Sequence, residues 1–251
     1  AAAPAACAPF VCDAAGQKCR AQCKDETVCV DTSVCDRKDA HISGAGICVP
    51  SKDVFVPVDG PPGKGTPPDW VAAALTQNKT HVRIPPGDYT IKSLEVTGPF
   101  PITLIGIKQP VDPKQPILRT DFAQPNKPVV NVWSAGIITL QGMTLRGANT
   151  GSLTVYPDSD ADGVHCVDGT VNLIEAVVES NMSEGLQATA CAVTIHRSTI
   201  RGNLWGGIRL VGGSAKIVNT LVVSNGNCGP SSKPCVPTGG GGILVNIQTG
   251  T

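Results

Sequence analysis

The residues best equipped for chemistry sit close together. Asp158, Asp160 and Asp162 alternate and are closed by Gly163. Carboxylates at every second position, ended by a glycine turn, can wrap a hard cation in oxygen ligands, which makes this segment a candidate Ca²⁺ site. The EF-hand version also needs a Glu at its last position. Gly169 stands there instead, so a solvated acidic loop is the rival reading. His165 follows Asp162 by three residues and is a candidate general base near neutral pH. Arg209 is the most interesting cation of the repeat. Their structural alternatives are an inert surface histidine and a polar ladder residue.

An internal repeat must position these groups. Residues 163–184, 185–206 and the segment from Gly207 align without a gap, with a 22-residue period. Gly163, Gly185 and Gly207 align, as do Val164, Leu186 and Ile208, and then Leu173, Ile195 and Ile217. Each unit carries short Val/Ile-rich runs separated by Gly, Asn or Ser, without a 3.6-residue period. Such a unit predicts an all-β fold, a right-handed parallel β-helix (a solenoid of 22-residue rungs). The LxxLxLxxN signature of leucine-rich repeats is absent. Asn181, Asn203 and Asn225 also align. They predict a stacked turn in which Asn adopts the left-handed conformation and its amide bonds the next rung. Residues 137–147 match 171–181 at an offset of 34, residues 102–107 echo 138–143, and Gly242 restarts the rung 35 residues after Gly207. Residues 68–78 read as a short helix that would cover the first rung.

Strand alternation then assigns faces. Val164, Leu186, Ile208 and Ile243 should point inward. Asn131, His165, Gln187, Arg209 and Leu244 should form an outward column at strand spacing, ~4.8 Å. Two insertions, around 148–162 and 227–241, enter before the first strand of a rung and should flank this column as groove walls. Candidate binding residues are therefore Asn131, Tyr156, His165, Gln187 and Arg209, with Trp133, Tyr156 and Trp205 as possible stacking platforms. Glu175 over Arg197 and Glu179 over Arg201 read as salt bridges on exposed turns. Cys228 and Cys235 should close their own loop. Cys166 should face inward, and Cys191 falls three positions out of register with it, which reads as two buried free thiols.

The rest of the 251-residue chain is different. It holds 11 Cys, of which seven lie at positions 7, 12, 19, 23, 29, 35 and 48. Residues 1–50 are too few for a sufficient core, and that cysteine density predicts a disulfide module in an extracellular or cell-surface protein. Zinc is poorly supported, because no CxxC pair occurs and His41 is the only nearby His. The odd number near the start suggests an eighth cysteine upstream. Residues 51–67 are Pro/Gly-rich and read as a linker, followed by the β-helix over 68–251. Twenty basic and twenty acidic residues cancel, which argues against a nucleic-acid partner. No apolar run is long enough for a membrane span. Thr251 falls in mid-rung, so the chain is expected to continue or to self-associate through an open C-terminal rung.

Two resemblances add to this reading. The run CAPFVCDAAGQKCRAQCKDETVC resembles small Cys-rich modules of secreted bacterial proteins, particularly myxobacterial ones. The short helix followed by HVRIPPGDYTI, together with the N-x-x-G-I junctions between rungs, resembles pectate-lyase-like β-helix proteins. That second resemblance implies extended polymers bound in a groove on the outer face. In lyases of this kind a cation neutralises the sugar carboxylate and a base takes the α-proton. The implied assignment gives Ca²⁺ to Asp158, Asp160 and Asp162, and catalysis to His165 and Arg209. The polygalacturonase-like motif set is absent. Two functions follow. One is a secreted or surface-displayed protein that binds polysaccharide or serves as a scaffold. The other is a Ca²⁺-assisted lyase or glycoside hydrolase acting on acidic glycans.

Overall fold

The computed structural model describes residues 22, 23, 29, 33–37, 45–57, 67–107, 115–120, 126–148, 161–226 and 241–246. The first described strands form an antiparallel pair, β1 (Val34–Asp36) and β2 (Ile47–Val49). A single 3-10 turn, Ser51–Asp53, leads into β3 (Val54–Phe55), and helix α1 (Pro67–Thr76) follows. Parallel strands come next in chain order: β4 (His81–Ile84), β5 (Asp88–Ile91), β6 (Leu94–Thr97), β7 (Pro101–Gly106), β8 (Ile117–Thr120) and β9 (Val130–Trp133). They continue as β10 (Ile137–Gln141), β11 (Thr144–Arg146), β12 (Val164–Val167), β13 (Thr170–Ile174), β14 (Val177–Glu179) and β15 (Glu184–Thr189). The last are β16 (Ala192–His196), β17 (Thr199–Arg201), β18 (Gly206–Val211), β19 (Ser214–Val218), β20 (Leu221–Val223) and β21 (Ile243–Asn246).

From β4 onward every third strand pairs. The sheets are β3-β4-β7-β10-β13-β16-β19, β5-β8-β11-β14-β17-β20 and β6-β9-β12-β15-β18-β21. The fold is thus mostly β, with three parallel sheets, consistent with a β-helix solenoid. Val164, Leu186 and Ile208 stand in register 22 residues apart, and all are buried. So are Leu173 and Ile195, which pair on the next sheet. Helix α1 buries Trp70, Val71 and Ala74 against the first strands, and Trp70 meets Tyr89 edge-on at 5.4 Å. Ile243 keeps its register with Ile208 but is 47% exposed, because no described strand lies beyond β21.

Each rung turns at three corners, and left-handed residues stack at each of them. One stack is Asp168, Ala190 and Gly212, a second is Glu175, Arg197 and Asn219, and the third is Ser180, Gly202 and Ser224. The third stack corrects the expectation for the asparagines. Their neighbours, one residue earlier, adopt positive φ, and Asn181, Asn203 and Asn225 do not. The asparagines instead form the ladder. Asn181 Nδ2 donates to Asn203 Oδ1 at 2.8 Å, and Asn203 Nδ2 donates to Asn225 Oδ1 at 2.8 Å. This ladder also explains the aligned glycines. A Cβ on Gly185 would lie 2.7 Å from Asn203 Nδ2 and 2.5 Å from a methyl of Ile200.

One register differs from expectation. β9 and β12 pair Asn131 with His165, an offset of 34, but β10 and β13 pair Ile137 with Thr170, an offset of 33. The corner after β9 explains the change. Its Ser134 and Ala135 are both left-handed, whereas Asp168 alone takes that conformation at the equivalent corner. That extra residue restores Ile138 and Leu140 to the core.

The cysteine-rich part packs on the seven-stranded sheet. Cys23 bonds Cys35 and Cys29 bonds Cys48. The sulfurs of Cys23, Cys29 and Cys48 lie within 4.8 Å of one another, but as disulfides they are not the thiolates a metal needs. Cys7, Cys12 and Cys19 lie outside the described residues. Val54 and Phe55, within the segment expected as a linker, pair with β4 and extend the sheet. Gln141 is fully buried at this junction. Its Nε2 donates to the Cys35 carbonyl at 2.7 Å, and its Oε1 accepts from the Arg37 amide at 2.7 Å. Arg37 also reaches Glu175 at 2.6 Å, and Asp36 meets His81 at 3.2 Å.

Cys166 and Cys191 are not free thiols. They form a buried disulfide, the third among the described residues. Cys166 stands opposite Ala188 on the next rung, and Cys191 follows three residues later at the corner. The corner turns Cys191 inward and brings its α carbon to 6.4 Å from that of Cys166.

Candidate functional site

The outer face of the β6-β21 sheet carries the predicted polar column. Asn131, His165, Gln187, Arg209 and Leu244 stand opposite one another in successive strands. Glu95 extends the column by one strand, and Asn131 Nδ2 donates to Glu95 Oε2 at 2.8 Å. Alternation puts Trp133 two residues along from Asn131 on the same face, and it is 47% exposed.

The column is held from its edge by acids. Asp162, two residues before β12, is completely buried. Its Oδ2 lies 3.0 Å from His165 Nδ1, and its Oδ1 accepts the Glu184 amide at 3.0 Å. Burial, first of all, pushes its carboxyl up to about 7. The nearby Glu184 charge adds to this, while the hydrogen bond and charge of His165 oppose it. Near neutral pH a carboxyl raised this far holds its proton much longer than an ordinary aspartate does. With Nδ1 committed to Asp162, acid–base work would fall to His165 Nε2.

Glu184 is the residue missed in the sequence. It lies one 22-residue period after Asp162, and each directly precedes an aligned glycine, so the repeat carried the signal. Ser183 Oγ donates to Glu184 Oε2 at 2.5 Å, and Glu184 Oε1 lies 3.9 Å from Arg209 Nη1. Arg209 belongs to a strand two rungs from His165, with Gln187 between them. The partner of its guanidinium is Glu184, at 3.9 Å. The arrangement is a short chain of charge, Arg209–Glu184–Asp162–His165. Glu184 and Asp162 are both buried, while 43% of the Arg209 side chain and 14% of the His165 side chain are exposed.

The Ca²⁺ expectation rests on three acids, of which Asp158 and Asp160 lie outside the described residues. Asp162 fits a ligand poorly. Each of its oxygens meets a protein nitrogen, no surface is left to a cation, and burial favours its neutral form. Tyr156, Cys228 and Cys235 also lie outside the described residues. Glu175 and Glu179 do bond Arg197 and Arg201, at 2.8 and 2.7 Å. Glu179 is buried, not on an exposed turn, because Arg146 covers it from the other side.

Among the described residues no helix is long and apolar enough to cross a membrane. Comparison of the chain with protein-family models, with curated proteins and with solved structures finds no match.

Proposed function

We propose that the protein is a secreted or surface-displayed right-handed parallel β-helix, of pectate-lyase-like architecture with 22-residue rungs, that binds an extended polysaccharide on the outer face of its β6-β21 sheet. The observation that carries this reading is the in-register polar column Glu95, Asn131, His165, Gln187, Arg209. Five side chains at strand spacing offer hydrogen-bonding groups over ~19 Å, a length suited to a polymer and excessive for one sugar. Trp133 adds an apolar ring beside Asn131, on which a pyranose can stack. Three disulfides among the described residues agree with an oxidising, extracellular setting. Affinity electrophoresis through gels cast with neutral or uronate polysaccharides tests the proposal. Retardation by at least one polymer, weakened in Gln187→Ala and Trp133→Ala, is expected. Equal mobility in every gel overturns it.

A second reading, an acidic-glycan lyase, is favoured by the Asp162–His165 contact and the Glu184-held Arg209. In it Arg209 faces the uronate carboxylate. His165 Nε2 takes the proton α to that carboxylate, the C–H pair becomes a ring double bond, and the glycosidic oxygen leaves with its bonding pair and gains a proton. Ultraviolet absorbance of the unsaturated product reads this directly. A rise with wild type that is lost in His165→Ala supports the lyase, and a flat trace with all uronate polymers removes it.

A further inference from the structure

A second charged column lies on a different sheet and is used by neither reading. On the outer face of the β5-β20 sheet, Thr90, Arg119, Arg146, Glu179, Arg201 and Val223 stand in register on successive strands. Arg119 neighbours Arg146 directly, and like charges opposite one another destabilise a sheet. Asp88 pairs with Arg119, but both are about 40% exposed, where an ion pair contributes little. Arg146 and Arg201 share one carboxylate. Arg146 Nε donates to Glu179 Oε1 at 2.9 Å, and Arg201 Nε donates to Glu179 Oε2 at 2.8 Å. Glu179 is thus saturated, and two cations lean on one anion. Burial raises its carboxyl, but hydrogen bonds and charge from both arginines outweigh that and hold it below the ordinary value, so it stays ionised.

Three arginines and two acids leave one net positive charge here, in a chain whose formal net charge is zero. Anchored by Glu179, the guanidiniums still keep 43% of the Arg146 side chain and 56% of the Arg201 side chain exposed. A shallow groove of about 500 Å³ runs beside them over Ile117, Thr144 and Val177. Preorganised guanidiniums suit carboxylate and sulfate, which they bind through paired N–H donors. The row from Arg119 to Arg201 covers ~14 Å, so a small ion would engage only part of it, whereas repeating negative charge would engage it all.

We infer that this face is a second glycan-binding surface, selective for polysaccharides bearing repeated carboxylate or sulfate groups, with Arg146 and Arg201 as its main contacts and Arg119 at one end. It does not depend on the Asn131–Arg209 column, which lies on another sheet.

Arginine-specific dicarbonyl labelling of the wild-type protein, read residue by residue by mass spectrometry, tests this without a variant. The probes are polygalacturonate, dextran sulfate and neutral dextran. Slower labelling of Arg146 and Arg201 with either acidic polymer, unchanged by neutral dextran, is the expected result. Which acidic polymer protects them decides between carboxylate and sulfate. Protection of Arg209 alone would leave the first column standing and overturn this inference. Unchanged labelling at Arg146 and Arg201 with both acidic polymers also overturns it. As a second check, Arg201→Gln should weaken binding to the protecting polymer about tenfold. Unchanged affinity in a variant with wild-type circular dichroism would make the network purely structural.

Discussion

Glu184 lies one rung beyond Asp162 and holds it twice over. Its backbone amide donates to Asp162 Oδ1 at 3.0 Å, and its side-chain charge helps keep the Asp162 carboxyl protonated near neutral pH. The same side chain reaches Arg209 at 3.9 Å. Two acids stacked by the repeat thus link the histidine and the arginine of the outer face, which strand order alone keeps two rungs apart.

Asp162 makes stability depend on pH in an unusual direction. Its carboxyl is raised from 3.8 to about 7 in the folded state. Between those values the folded protein keeps a proton that the unfolded chain has lost, so this contribution falls as pH rises through the window and levels off above it. Asp162→Asn removes the titration. Relative to wild type, its Tm should climb from about pH 4 to about pH 7, with a gain on the order of 2–4 kcal/mol at the upper end. Thermal melts of both proteins across that range check this, and a constant difference would refute it.

Glu179 should behave in the opposite way. Its carboxyl lies below the ordinary value of 4.5, so its contribution is present above that value and is lost as pH falls toward the folded-state value. Glu179→Gln leaves Arg146 and Arg201 facing a neutral amide. A loss of about 1–3 kcal/mol is expected at neutral pH, shrinking in acid. Chemical denaturation at two pH values measures it.

Asn203 sits in the middle of the ladder. It accepts from the Asn181 amide nitrogens and donates to Asn225 and to the Val178 carbonyl. Asn203→Ala leaves several buried groups unsatisfied and should cost roughly 3 kcal/mol or more. Asn203→Asp should also destabilise, because a carboxylate cannot donate to Asn225. A denaturant titration that finds Asn203→Ala within experimental error of wild type would contradict the ladder's role.

The Cys166–Cys191 bond closes a 25-residue separation across one rung. Replacing both by Ala should lower stability by ~3 kcal/mol. Peptide mapping without reductant should recover the linked pair, and recovery of two free thiols would remove the bond from the description.

Much of this was legible in the residue pattern. A rung is a local object, so a 22-residue period with alternating Val, Ile and Leu was enough to stack Val164, Leu186 and Ile208 and to turn His165, Gln187 and Arg209 outward. The asparagine ladder and the disulfide character of the first cysteines were legible for the same reason, since residue type and spacing already carry them. Other features depend on how the chain travels around corners. The extra left-handed residue at Ser134–Ala135 changed an offset of 34 into 33. The corner at Ala190 swung Cys191 inward to meet Cys166. Glu184 became central only when its side chain and amide were seen to point at different partners, Arg209 and Asp162. Gln141 bonds the backbone of Cys35 and Arg37, more than 100 residues away in the chain, which no 22-residue period specifies. A repeat specifies which residues stack along the axis. Only the folded corners decide which side chains, from different strands and different modules, meet across it.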